Sequence, residues 1–296
     1  MSRLAERAVV VARFALGCLL ALVVVACAPT TAALVPRPIV IQGAMPVETR
    51  ELVDALADPV ERQVQGWTFW TGTLDGAPVV VSKTQKGMTN AAAATALAIE
   101  HFRPRAIVNQ GTAGGHDPAL RVSDIVIGSA AVNIGAFKTG ARGQGEGSDF
   151  AQWHPMDLIR TEGSAAQDPN AWVMRRFAAD PGLFAAAISA RDRYTTGRVV
   201  EGVIGSSDVW NSELDRIQRM RDEYSTSVEE METAAVAQVA GMSQVPFLGI
   251  RVLSNNITNG GAYDAATAAA CQRFVLEVVR AYVAATRSTP GHSPSH

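Results

Sequence analysis

The chain has 296 residues, of which 48% are apolar, and a formal charge of −2 from 26 Lys and Arg against 28 Asp and Glu. This length allows one large domain or two small ones around a substantial core. The near-balanced charge, with Arg and Lys scattered rather than striped, gives no footprint for nucleic acid, and three cysteines without Cys/His spacing exclude a disulfide framework or a zinc module.

Arg3, Arg7 and Arg13 precede an apolar run over 14–26. Its 13 residues fall short of the ~20 that span a bilayer and suit the core of a signal peptide. The run ends in Val24-Val25-Ala26-Cys27, which resembles a bacterial lipobox. That resemblance implies cleavage before Cys27, a lipid on its thiol, and an exported, periplasmic, membrane-tethered domain. The alternatives are an ordinary secretory signal cut near Ala26 or Ala28, and a retained anchor. Cys18 then leaves with the signal, and Cys271 remains as a small buried hydrophobe.

Residues 28–37 read as a tether. Pro38-Ile39-Val40-Ile41 has the continuous apolar character of a buried strand. Gly43-Ala44-Met45-Pro46 turns the chain into a helix through about Leu56. Residues 66–74 and 78–83 form a hairpin around the Asp75-Gly76 turn signal. Thr89 or Asn90 caps an Ala-rich helix that stops at Pro104. Strand 105–109 runs into Gly111-Thr112-Ala113-Gly114-Gly115, and 123–132 is another strand. Residues 134–149 are a Gly-rich loop. Helices follow over 170–178 and 181–190, then strand 198–204, helix 212–224, helix 232–240 closed by Gly241, strand 245–253, and a long amphipathic helix over 265–287. The tail 288–296 is polar. Alternating strands and helices argue for an α/β layered domain over 38–287.

Several side chains could carry chemistry. Glu229, Glu230 and Glu232 surround Met231 just before small helix-forming residues. One acidic group there gains from a helix's positive end. Three, with Ser254-Asn255 about twenty residues later at a strand end, suggest a sugar-binding carboxylate beside a base-recognition loop. Glu48 follows a strand and a Gly turn, on the edge where α/β sheets place ligands; a solvated Glu in a first helical turn is the bland reading. Arg251 is the one charge in an apolar strand, so it is either paired or part of a site. Glycines at 111, 114 and 115 let backbone N–H groups approach a ligand, or make an ordinary turn. His101, His116 and His154 have no evident partner and read as surface or structural.

Taken in order, Gly43-Ala44-Met45…Glu48, Gly87…Asn90, Gly111-Thr112-Ala113-Gly114-Gly115, Glu230-Met231-Glu232 and Arg251…Ser254 resemble the methylthioadenosine/S-adenosylhomocysteine nucleosidase group of the nucleoside phosphorylase superfamily. The resemblance covers about 38–285 and is weak across 135–200. It implies a three-layer α/β/α single domain with a central, mostly parallel or mixed sheet, no cofactor, and a homodimer acting on a small-molecule purine nucleoside. Glu48 resembles the general base that activates water. Glu232 resembles the carboxylate gripping the ribose hydroxyls, with Glu230 beside it and Met231 against the sugar. Arg251 and Thr112 resemble residues ordering water and sugar, with Ala113 and Gly114 lining the strand end. Val209 and Trp210 match the positions flanking the purine, and Ser254 resembles the support of the catalytic loop.

Position 255 departs from the family, which has an Asp there that donates a proton to purine N7. Asn255 can offer a hydrogen bond but no acidic proton, which marks a 6-oxopurine leaving group, a slower adenine enzyme, or a binder without activity. Asn109 stands where hexameric phosphorylases of the superfamily carry an Arg for phosphate. Hydrolysis is therefore expected over phosphorolysis, with a lipid-anchored purine nucleoside-binding protein as the rival from another class.

Overall fold

The computed structural model describes residues 36–159 and 172–287. The signal segment with Cys27, residues 28–35 of the tether and the tail 288–296 lie outside the described residues. Among those described, no helix is long and apolar enough to cross a membrane.

The elements run β1 (Ile39–Gly43), a 3-10 turn (Pro46–Glu48), α1 (Arg50–Asp54), β2 (Ala57–Val64), β3 (Trp67–Leu74), β4 (Ala77–Lys83), α2 (Met88–Phe102), β5 (Ala106–Gly115), β6 (Ile125–Asn133), the short β7 (Phe137–Lys138), β8 (His154–Pro155) and β9 (Arg176–Ala178), then α3 (Pro181–Ala190), β10 (Val199–Ser206), α4 (Leu214–Tyr224), β11 (Thr226–Glu230), α5 (Thr233–Met242), β12 (Phe247–Asn255) and α6 (Thr267–Arg287). The main sheet has the order β11-β10-β6-β12-β5-β1-β4-β3-β2. It is mixed: β1 is parallel to β4 and β5, and β12 is parallel to β5 but antiparallel to β6.

Strand β5 organises the sheet. Its first half pairs with β1, Ile39 opposite Ala106 through Gln42 opposite Asn109. Its Gly-rich second half leaves β1 and pairs antiparallel with β11, Val228 opposite Gly115 and Glu229 opposite Gly114. That contact closes β5, β12, β6, β10 and β11 into a ring, while β1, β4, β3 and β2 continue as an open sheet. Side chains alternate across a strand, and β1 shows it. Ile39 and Ile41 pack with Leu183 of α3 and Phe274 of α6, whereas Val40 faces Ala91 of α2 and Val236 of α5. Helices thus cover both faces, and each fully buried aliphatic side chain contributes ~1.5–3 kcal/mol.

One strand was not foreseen and three expectations need correction. Strand β2 carries Asp58, Pro59, Glu61 and Arg62, lies largely exposed at the sheet edge against β3, and lacks the alternation that reveals a strand. The helix expected over 170–178 is instead β9 in its described part, with Phe177 opposite Ala131 of β6; short apolar runs do not separate the two states. Helix α2 starts at Met88 with Gly87, at φ 96°, as N-cap. Asn90 does not cap it, because its amide donates to the Lys86 carbonyl at 2.8 Å. Gly241 lies inside α5, whose C-cap is Ser243. Remaining boundaries differ by one to two residues at most ends, and β5 runs on through Gly115.

Candidate active site

Pro46 presets the backbone of the 3-10 turn after β1, which returns Glu48 over the second half of β5. Glu48 is 3% exposed. Its Oε2 accepts the N–H groups of Ala44 (2.9 Å) and Met45 (3.2 Å). Its Oε1 accepts the N–H (2.8 Å) and hydroxyl (3.0 Å) of Thr112. Gln110 Nε2 holds the Glu48 carbonyl at 2.6 Å. Four donors aim this carboxylate. Gly111 makes the approach possible: a Cβ there would lie 2.7 Å from Glu48 Oε1. Gly111→Ala is therefore expected to push the carboxylate off Thr112, costing ~1–3 kcal/mol of stability by overpacking and at least about tenfold in turnover. Thermal unfolding and kcat measured together check both parts.

Arg251 sits mid-strand in β12, opposite Gly111 of β5, and is 1% exposed. Its Nε donates to Glu230 Oε2 (3.1 Å), Nη1 to the Ile250 carbonyl (2.9 Å) and Nη2 to Asn109 Oδ1 (2.5 Å). Glu230, the last residue of β11, also accepts the N–H groups of Glu232 and Thr233 at 3.0 Å and the Ser206 hydroxyl. It thereby joins the start of α5 to Arg251. Glu232 lies 3.9 Å from Arg251 and accepts the Gly87 N–H at 2.8 Å. Burial pushes the Glu232 carboxyl above its ordinary range; Glu230 adds to this and Arg251 opposes it. Glu230 is thus the cation's direct partner, and Glu232 is the carboxylate left with fewer donors.

Asn255 ends β12 opposite Gly114. Ser254 offers its hydroxyl to Asn255 Oδ1 (3.0 Å) and to the Ala113 carbonyl (3.2 Å). The bond to Oδ1 fixes the amide, and Nδ2 donates to no atom among the described residues. Buried Asn256 anchors the next loop by donating to the carbonyls of Asp117 (2.8 Å) and Leu120 (2.9 Å). Thr112 and Gly114, which touch Glu48 and face Asn255, are two residues apart on one strand, or about 7 Å. Glu48, Arg251 and Asn255 therefore lie along residues 111–114 of β5, and Glu232 stands 3.9 Å from Arg251.

Val209 and Trp210 lie in the connection between β10 and α4. They are exposed, Trp210 by 73%, and the Trp210 ring stands 6.0 Å from that of Tyr263 in the loop after β12. Sequence reasoning missed the residues behind them. His116 is not isolated: it is buried, with Nε2 2.9 Å from Glu229 Oε2 and Nδ1 2.7 Å from the Thr226 hydroxyl. Glu229 was visible as one of three carboxylates beside Met231, but its partners were not, and Asn211 gave no periodic or motif signal.

A mixed central sheet covered by helices fits the fold of the phosphorylase superfamily, whose family model matches residues 38–284, and the chain belongs to it. Within it, the chain belongs to the 5′-methylthioadenosine/S-adenosylhomocysteine nucleosidase family. It is 34% identical to that nucleosidase of Anoxybacillus flavithermus over 218 residues, covering 73% of this chain and 84% of the relative. It is 35% identical to the Shewanella frigidimarina enzyme over 226 residues, covering 75% and 87%. Among solved structures, the Colwellia psychrerythraea nucleosidase in complex with adenine superposes with a TM-score of 0.66 at 28% identity, over 83% of this chain and 96% of that one.

Proposed function

We propose that this chain is a purine nucleosidase in which Glu48 takes a proton from the attacking water. The observation that carries it is the buried Glu48 carboxylate, aimed by four donors at the strand that also bears Thr112 and Gly114. Cleavage builds positive charge on the ribose and negative charge on the purine. Glu232 and Met231 hold the sugar, and the carboxylate stabilises the first charge. Asn255 Nδ2 offers a hydrogen bond to N7 for the second, on a purine flanked by Val209 and Trp210. Water is favoured over phosphate as nucleophile. Among the described residues, Glu230 and Glu232 have one cation within ion-pair reach, Arg251, and Asn109 adds none for an anion pocket. Adenosine, methylthioadenosine and inosine, each with and without phosphate, test this reading. Free base without phosphate supports it, base only with phosphate makes the chain a phosphorylase, and saturable binding without base makes it a receptor.

A second reading concerns the leaving group. With Oδ1 held by Ser254, position 255 supplies a donor but no acidic proton. An adenine leaving group gains most from protonation at N7, so Asn255 tempers activity on 6-aminopurines and favours 6-oxopurines. Asn255→Asp is expected to raise the adenosine-to-inosine ratio of kcat/KM by ~10²-fold, the lower range of general-acid catalysis. An unchanged ratio removes this account.

The proposed setting is export with a lipid on Cys27 and assembly as a homodimer. Cys27→Ser should then move the protein from the membrane to the soluble periplasmic fraction, and light scattering on the mature domain should give twice the chain mass.

A further inference from the structure

We propose that Glu229 is a positioning residue for the base-side loop, holding residues 208–210 against the sugar-binding carboxylate. The proposal rests on the nucleosidase reading for what that loop contacts. Glu229 points away from Glu230 and is buried. It gathers four donors: Ser207 Oγ (2.7 Å) and Arg216 Nη1 (2.9 Å) on Oε1, and His116 Nε2 (2.9 Å) and Asn211 Nδ2 (2.9 Å) on Oε2. Ser207 and Asn211 bracket Asp208, Val209 and Trp210, so one carboxylate pins both ends of that segment.

Between the pins a third contact sets its direction. Asp208 Oδ1 accepts the Met88 N–H at 2.8 Å, in the first turn of α2. The neighbouring Gly87 N–H donates to Glu232 Oε1 at 2.8 Å. A Cβ on Gly87 would lie 3.0 Å from Asp208 Oδ1, and the φ of 96° at this junction favours glycine. The start of α2 is therefore shared by the base-side loop and by the sugar carboxylate. Glu229 fixes the other side of the same loop. Four donors suit an ionised carboxylate, which only accepts. Burial alone would raise its pKa, but the His116 hydrogen bond, the His116 and Arg216 charges and Asn211 together hold it at about 2. Glu229 is therefore an acceptor on both oxygens near neutrality.

The test uses the full chain with Glu229→Gln and, separately, Asn211→Ala. The second removes one pin while keeping the His116–Glu229–Arg216 set, so it stays informative if the first folds poorly. Each variant is expected to raise KM for the nucleoside about tenfold, the effect of losing one hydrogen bond to a charged group, with kcat within about threefold. Acrylamide quenching of Trp210, isolated by difference against Trp210→Phe, is expected to rise in both. An unchanged KM with unchanged quenching in folded Asn211→Ala overturns the proposal, as does a loss confined to kcat. If the wild-type chain cleaves no nucleoside, the nucleosidase reading fails by itself, and quenching alone still decides whether Glu229 holds the loop.

Discussion

Glu48→Gln is expected to lower kcat by ~10²–10⁴-fold, the range of a lost general base, while the dissociation constant for free purine changes by less than about threefold. The two side chains are nearly the same size, so the pocket keeps its shape. The amide cannot take a proton from water. It also places an NH2 group against donors, because both carboxylate oxygens accept: Oε2 from Ala44 and Met45, Oε1 from Thr112. One pair of donors is then unsatisfied, at a cost of ~1–3 kcal/mol. Thermal unfolding should therefore shift downward along with turnover. Calorimetric titration of purine reports on the other end of the site, where Asn255 and the loop around Trp210 are expected to be untouched. Turnover within tenfold of wild type would remove Glu48 from the role of base.

The parts of the fold that were legible in the sequence are those set by local pattern. The apolar runs of β1 and β12, the hairpin turn at Asp75-Gly76 and the Pro181–Ala190 helix all follow from composition over a few residues. The candidate site residues from Glu48 to Asn255 stood out as ordered blocks, and Arg251 as a charge in an apolar strand that must find a partner. What was hidden depends on contacts between distant segments. The closure of the ring needs Glu229 to lie opposite Gly114, and His116 meets Glu229 across 113 positions. No window of sequence contains both. The choice between Glu230 and Glu232 as direct partner of Arg251 was hidden for another reason. They are two residues apart, and the end of β11 turns Glu230 toward the guanidinium while Glu232 begins the next helix. Strand β2 escaped because an exposed edge strand needs no apolar alternation, and its charges are themselves the common protection of an edge.

The same cluster yields the largest expected loss of stability. Arg251→Met keeps much of the side-chain volume but removes the only cation within reach of Glu230 and Glu232 among the described residues. Breaking a buried pair from one side costs ~3–5 kcal/mol, because the partner charge is left uncompensated. Glu230 retains the Ser206 hydroxyl and the N–H groups of Glu232 and Thr233, so the loss should fall in the lower half of that range. The pH dependence follows from Glu232, whose carboxyl is already raised from 4.5 by burial and by Glu230. A raised carboxyl binds its proton more tightly in the folded chain than in the unfolded one, so stability falls as pH climbs from the unfolded pKa toward the folded one. Removing Arg251 takes away the opposing term and pushes Glu232 higher still, which extends that fall to higher pH. The part of the Arg251→Met deficit that comes from Glu232 should therefore be flat up to about pH 8, where Glu232 is still protonated in both folded chains, and grow only above it. Urea denaturation at several pH values measures it. Adding Glu230→Gln removes the stranded charge and should recover part of the loss, a coupling that a double-mutant cycle reads directly. A deficit below about 1 kcal/mol, well under the cost of an uncompensated buried charge, would show that these three side chains do not form one electrostatic unit, and so would a deficit that fails to grow above about pH 8.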